Sequence, residues 1–533
     1  MSYSKIFSED LPELIYEVIK YFQNDYSTLY SCILVNRLWC RLAMPLLWEN
    51  PFSFTENYNF IGIYLLNLND DLKIKLNECK IINNSLPSNT LFNYPSFLKY
   101  LNIYYFIYNV EEWFIISITK LENSRSYSVS YFKELIDISL ISLFKVFIEN
   151  EVNIHTLVIE VTRIAYSTRI YDILELISQN TNFTHNIRNL KLHINKRDSE
   201  NENMIIKVLQ VINSHQHHKK FLIESDCFSF YKSLLLSKDY SCSNTLNTII
   251  FYHVNFEGII NLKDIFEQLH ALESIHIFYC SSLNTKFTQQ IINLTKPFKL
   301  KSLFLDKDSR IDESSLLLLQ KSGDYLENLD FNPGYGQSLI LRQQFLELII
   351  KYCKNVKLLY FSNFDNQIIY LAFNLIENFK NLNYLHIISD ENSQLINNIE
   401  CSSIILQNLG QALPSKLDYL YLFLCIKASD LEVFLRNSQN TFIKKLMIYN
   451  DIEYSDDNNI LPYIKKYIMN EKRVEYLAII DNFLSKDPRY IVENGDLSNL
   501  KNEVEEFKLH DIKVWCFNKL VISCNFWFIK DID

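Results

Sequence analysis

Along the first fifty positions apolar residues recur every three to four places, the spacing of one helix face. Leu11, Leu14, Ile15, Val18, Ile19 and Phe22 predict a helix over Asp10–Phe22, with Asp10 as its cap. Pro12 falls in the first turn, where a missing N–H costs little. After a polar break at Gln23–Ser27, a second helix is predicted from Thr28 to Leu42 through Leu29, Cys32, Ile33, Val35 and Trp39. Pro45 is expected to interrupt it, and Leu46, Leu47 and Trp48 close the module.

From residue 98 the pattern changes period. The unit is now apolar-x-x-apolar-x-apolar, followed by a stretch with helical spacing. Its instances centre on Leu101, Leu157, Leu190, Ile249, Ile275, Leu303, Leu329, Leu359, Leu385, Leu420, Leu446, Leu477 and Phe507, with a degraded copy at Phe221. From Leu157 on, successive centres lie 26 to 35 residues apart, while Leu101 to Leu157 leaves room for one unrecognised unit. Helices are predicted inside the steps, for example Tyr171–Gln179, Leu262–Leu269, Gln343–Tyr352, Ile368–Phe379, Asp430–Asn437 and Leu461–Met469. Such a chain is α/β, with parallel strands stacked on an inner, concave side and helices outside. Residues 51–97, rich in Asn, read as an irregular start. Residues 104–153 carry two helical stretches, Val110–Leu121 and Tyr131–Glu149. The expected organisation is therefore a helical module over 1–50, a transition over 51–97 and a solenoid over 98–533.

The repeat resembles leucine-rich repeats of the long, helix-containing kind. That family places Asn or Cys five residues after the central apolar position, where it bonds turn backbone. Here the position holds Asn195, Cys280, Cys425 and Asn482, with Asp308, Asp390 and Asp451 in three other repeats. The remaining repeats depart from the pattern, so the ladder is incomplete. The first fifty residues resemble an F-box. Leu11-Pro12-Glu13-Leu14-Ile15 with Ile19, then Cys32-Ile33-Leu34-Val35-Asn36-Arg37-Leu38-Trp39, then Pro45-Leu46-Leu47-Trp48 keep that family's three pieces in order. The likeness covers about a tenth of the chain and looks most like fungal F-box proteins with leucine-rich repeats. It implies docking to a Skp-type adaptor of a cullin–RING ubiquitin ligase. Leu11, Pro12, Ile15, Ile19, Val35, Trp39, Leu47 and Trp48 would form that apolar contact or its immediate support.

Composition narrows the remaining choices. The 533 residues are 48% hydrophobic, enough for a large core, and only 7 are Gly, which argues against folds built on glycine-rich loops. The net charge is −10 without a basic block, so nucleic acid is not an expected partner. Eleven Cys, an odd number without a CxxC pair, read as reduced thiols of a cytoplasmic or nuclear protein. No signal peptide and no apolar run long enough for a membrane span is legible, so no membrane partner is expected.

Catalytic patterns are not recognised. There is no GxGxxG, Walker loop, HExxH or GxSxG, and Gly334-Tyr335-Gly336 lacks a third glycine. His215, His217 and His218 cluster without Cys or carboxylate at ligand spacing and read as a solvated loop. Cys280 and Cys425 read as buried structural thiols, and Asp456-Asp457 as loop charges. No enzyme activity, cofactor or metal is expected. The informative surface is the concave face, where strand alternation should turn Tyr252, His276, Phe278, Phe304, Asp306, Asp330, Tyr360, Tyr421, Phe423 and Tyr449 outward. Exposed aromatics rimmed by polar groups suit a protein substrate, unless they only shield neighbouring strands. The expected function is substrate recognition for a ubiquitin ligase. The alternative is a leucine-rich-repeat interaction scaffold in which the N-terminal helices are only a cap.

Overall fold

The computed structural model describes residues 12–23, 25–53, 58–79, 81, 90–119, 129–161, 166–194, 207–208, 210–211, 219–224, 242–305, 312–332, 338–362, 367–389, 395–452, 459–469, 471–481 and 495–520. The architecture is α/β. Among the described residues fourteen parallel strands follow one another in the sheet in chain order. The chain divides into two compact units, one comprising residues 1–249 and 269–271, the other 250–268 and 272–533.

The first unit opens with helices α1 (Pro12–Lys20), α2 (Tyr26–Ile33) and α3 (Arg37–Leu47). The single second helix expected from the sequence is thus two helices. Leu34 and Val35 form a turn, and Asn36 is extended, with φ −163°. Its side-chain Oδ1 accepts the Trp39 N–H at 2.9 Å and starts α3 afresh. Pro45 does not end α3, because the core-facing pair Ala43 and Leu46 holds the helix through to Leu47. The three helices bury Ile15, Ile19, Leu29, Cys32, Ala43 and Leu46 in a small shared core. The carbonyl of Glu49 then accepts the N–H groups of Lys99 and Tyr100, tying the end of the module to the first strand.

That strand, β1 (Tyr100–Asn102), pairs directly with β2 (Thr156–Val161), followed by β3 (Asn189–Ile194) and β4 (Lys220–Glu224). Leu101, Leu157, Leu190 and Phe221 share one register position, so the degraded copy is a true repeat. The unrecognised unit between Leu101 and Leu157 contains no strand among the described residues. Helices α4 (Asn59–Leu65) and α5 (Asp70–Glu78) precede β1. The space after β1 is filled by α6 (Ile103–Thr119) and α7 (Val129–Glu149), whose largely apolar sequence buries Phe106, Phe114, Phe144 and Phe147.

The second unit carries β6 (Ser274–Cys280), β7 (Leu300–Leu305), β8 (Asn328–Phe331), β9 (Leu358–Ser362), β10 (Tyr384–Ile388), β11 (Lys416–Leu424), β12 (Phe442–Asn450), β13 (Val474–Asp481) and β14 (Lys513–Val514), after β5 (Thr248–Tyr252), which straddles the boundary. Leu303, Leu329, Leu359, Leu385, Leu420, Leu446 and Leu477 stand in one line across the strands. Two expectations are corrected. Val514, not Phe507, continues that line, since Phe507 lies buried on the helix Lys501–Leu509. In β6 it is Ile277, not Ile275, that faces Leu303, because the register shifts at both ends of the strand. Tyr279 sits in that irregularity at φ +52°, an uncommon backbone state for a bulky residue.

The turn after each strand needs partners for its buried backbone groups. Cys425 and Asp451 were expected to supply them. The stronger partner is Asn450, one place earlier and fully buried. Its Oδ1 accepts the Ile426 N–H at 2.8 Å and the Ile452 N–H at 3.2 Å, while its Nδ2 donates to Asp481 at 3.3 Å. Cys425 Sγ–H reaches the Asp451 carbonyl at a long 3.8 Å, and Cys280 Sγ–H the Phe278 carbonyl at 3.4 Å. The positions Asn195, Asn482, Asp308 and Asp390 lie outside the described residues. Asn450→Ala should strip two buried N–H groups of their acceptor and lower the urea midpoint of the second unit by an amount equal to about 2–3 kcal/mol.

Candidate functional site

Two surfaces collect the candidate residues. The first is the three-helix module. Ile15 and Ile19 point inward from α1 into its core and support the fold rather than a contact. Trp39 and Leu47 are half-buried against the same core, and Pro12 is half-buried at the start of α1. Val35, in the α2–α3 turn, is 57% exposed. Leu11 lies outside the described residues.

Trp48, expected in the contact or its immediate support, does not face outward. It is buried, with its ring tilted 4.3 Å from Tyr94 and edge-on to Tyr64 at 5.4 Å and Phe60 at 6.4 Å. It pins the module to the segments that follow. Trp48→Ala should therefore cost about 3–5 kcal/mol of stability, read as a lower melting temperature without any partner present.

Apart from Val35, the exposed apolar side chains of the module lie outside the set that the resemblance implies. Leu14 (52% exposed) and Val18 (43%) lie at i and i+4 on the outer face of α1, and exposed Tyr21 follows in the turn after it. Tyr30 is exposed on α2, and Leu34 (71% exposed) lies in the turn that follows it. The signal was present in the sequence as helical periodicity: α1 carries apolar residues on more than one face, and only one face can fill a core this small.

The second surface is the sheet face of the second unit turned away from its helices. Phe331 packs on the helix residue Phe345 at 5.8 Å, so its strand neighbour Asp330 must point to the opposite side. There the register aligns Phe304, Asp330, Tyr360, His386, Tyr421, Met447 and Ala478 in a row. A second row runs Ser362, Ile388, Phe423, Tyr449 and Ile480. Parallel strands stand about 4.8 Å apart, so neighbouring rings in a row stack. Tyr360 lies 3.8 Å from His386 with planes 16° apart, and Phe423 lies 4.5 Å from Tyr449.

This stacking alters the expected exposure. Tyr252, Tyr360, Tyr421, Phe423 and Tyr449 remain half-exposed. His276, Phe278, Phe304 and Asp330 are buried, contrary to the outward, solvent-facing reading. Phe278 and Phe304 cover one another at 4.8 Å. The His276 ring shares a hydrogen bond of 2.8 Å with Ser302, which also accepts from Asn328 Nδ2 at 2.9 Å. Asp306 lies outside the described residues.

Burial sets the electrostatics of this face. The Asp330 carboxyl is pushed up to about 8, with loss of water around the charged form as the cause. Desolvation likewise holds His386 well below the usual histidine range, so the ring is neutral. Among the described residues neither ring nitrogen of His386 has a hydrogen-bond partner. Burial also raises the Cys425 thiol to about 11, as suits a structural rather than a reactive thiol.

Among the described residues no group of three or more His, Cys, Asp or Glu side chains is arranged to hold a metal ion. No described helix is long and apolar enough to cross a membrane. The His215–His218 cluster, Gly334–Gly336 and Asp456-Asp457 lie outside the described residues. No protein-family model matches the chain, and no curated protein matches its sequence.

Proposed function

We propose that this chain is the substrate-recognition subunit of a Skp–cullin–F-box ubiquitin ligase, with leucine-rich repeats as its recognition array. Its three-helix module docks a Skp-type adaptor, and the helix-remote face of its strand array holds a protein target. The chain breaks no bond itself. It holds the target near a ubiquitin-charged enzyme, so that transfer becomes effectively intramolecular.

One observation carries this reading. The module closes its own core with Ile15, Ile19, Leu29, Cys32, Ala43 and Leu46 and still leaves Leu14, Val18, Leu34 and Val35 exposed. A segment that served only to cap the array would direct its apolar residues inward. Outward apolar rows on a self-contained helical module suit docking to a groove of another helical protein. Apart from Leu11, which lies outside the described residues, the F-box-like pieces of the sequence lie on these helices and the turns beside them.

The scaffold reading rests on Trp48, whose burial against Phe60, Tyr64 and Tyr94 joins the module to the array. Co-purification of the full chain with a Skp-type adaptor separates the two. A stoichiometric complex supports the ligase reading. No complex at micromolar concentrations leaves the module as a cap.

A further inference from the structure

The face assigned to the target already holds a piece of this chain. Beyond β14, residues Phe517–Leu520 make a single helical turn. Phe517 and Leu520 are both 4% exposed and seat on Tyr419, Met447, Ala478 and Ile480. These four residues belong to β11, β12 and β13 and are themselves fully buried. The Phe517 ring meets Tyr421 and Tyr449 at 5.9 Å each, near edge-on. Its backbone N–H donates to the buried Asp496 Oδ2 at 2.8 Å, and Asp496 Oδ1 is fixed by the Ser498 N–H at 2.8 Å. The seat thus has an apolar floor, an aromatic rim and one positioned acceptor. Phe and Leu three residues apart share a face of a helical turn, which is how both reach the floor.

Among the described residues, few backbone bonds hold the turn apart from this seat. The strand before it is two residues long, pairing Lys513 with Tyr476 and Val514 with Leu477, and the Trp515 N–H adds one bond to the Leu477 carbonyl at 3.0 Å. Short elements with few backbone bonds are the ones that open at low free energy.

We propose that the Phe517–Leu520 turn is a built-in competitor for the target. The face of β11–β13 recognises a partner segment that presents an aromatic residue followed three positions later by an aliphatic one on a single helical turn. The proposal rests on the reading of this face as a protein-binding surface, and it adds the chemistry of the bound segment. A tethered segment acts at about millimolar effective concentration, so a free peptide of equal intrinsic affinity binds poorly until the turn is removed.

The test is fluorescence anisotropy with a labelled peptide of residues 513–522, titrated with the full wild-type chain and with the full-length F517A/L520A variant. The variant should bind at least about tenfold more tightly, and a peptide carrying the same two alanines should bind neither. A folded variant that binds the peptide no better than wild type overturns the proposal. Should the variant not fold, hydrogen exchange of the wild-type chain at millimolar peptide decides. Faster exchange at the Phe517 amide supports the proposal, and unchanged exchange overturns it. Adaptor capture by the same proteins is scored separately. Peptide binding without adaptor capture rejects the ligase reading alone, and adaptor capture without peptide binding rejects this inference alone.

Discussion

Replacing Leu14 and Val18 with glutamate will abolish capture of a Skp-type adaptor while leaving the melting temperature of the chain nearly unchanged. Both side chains stand on the outer face of α1, outside the module's core. Each aliphatic group buried on docking is worth about 1.5–3 kcal/mol, and a carboxylate forced into the same dry contact costs more than that gain. The pair should weaken binding by about a thousandfold or more, turning a micromolar complex into none. Surface changes of this kind alter stability by only about 0.5 kcal/mol, so loss of capture cannot be laid to unfolding. Substituting Ile15 or Ile19 would be a poor test. These residues fill the small core, and truncation there costs about 2–5 kcal/mol of stability before any partner is considered. If the double-glutamate chain still captures the adaptor, α1 is not the docking face and the proposed function loses its main support.

Asp330→Asn should stabilise the second unit, and by an amount that grows with pH. In the folded chain burial raises this carboxyl to about 8, against an ordinary value of 3.8. Between those values the folded state keeps a proton that the unfolded state releases. Stability therefore falls as pH rises through this window, by about 1.4 kcal/mol per unit, and levels off above about 8. Asparagine has the same shape and does not titrate, so its advantage follows the same slope. Urea midpoints of both proteins at pH 5, 6, 7 and 8 give the measurement. Parallel curves would mean that Asp330 is not buried as a neutral acid, and would remove the electrostatic account of this face. The histidine two strands away works in the opposite sense. His386 is neutral when folded, so its contribution is lost on acidification through the ordinary histidine range, where the unfolded chain takes up the proton. Together the two groups narrow the pH range of greatest stability from both sides.

Much of this architecture is legible in the sequence because a parallel strand repeats its contacts at every step. The line of leucines from Leu303 to Leu477 was readable as spacing, and the structure places those residues in one register. Helix periodicity likewise marked Leu461–Met469 and Asp430–Asn437 to within a few residues of the observed elements. Legibility fails where a local bond outweighs the pattern. The side chain of Asn36 splits a helix that apolar spacing alone would continue. Phe507 fits the repeat formula, yet it belongs to a helix, because apolar residues three apart satisfy both a strand unit and a helix face.

The sequence by itself determined the alternation of strand and helix, the line of leucines that faces the helices, and the self-contained apolar set of the first fifty residues. These follow from chain-local periodicity, which each segment carries alone. Only the tertiary structure decided which side chains remain available to a partner. Trp48 was sequestered by Tyr94, Phe278 and Phe304 by each other, and the floor under Tyr421 and Tyr449 by Phe517. Exposure depends on what packs across from a residue, and those neighbours come from 26 to 96 residues away in the chain, beyond the reach of any local pattern.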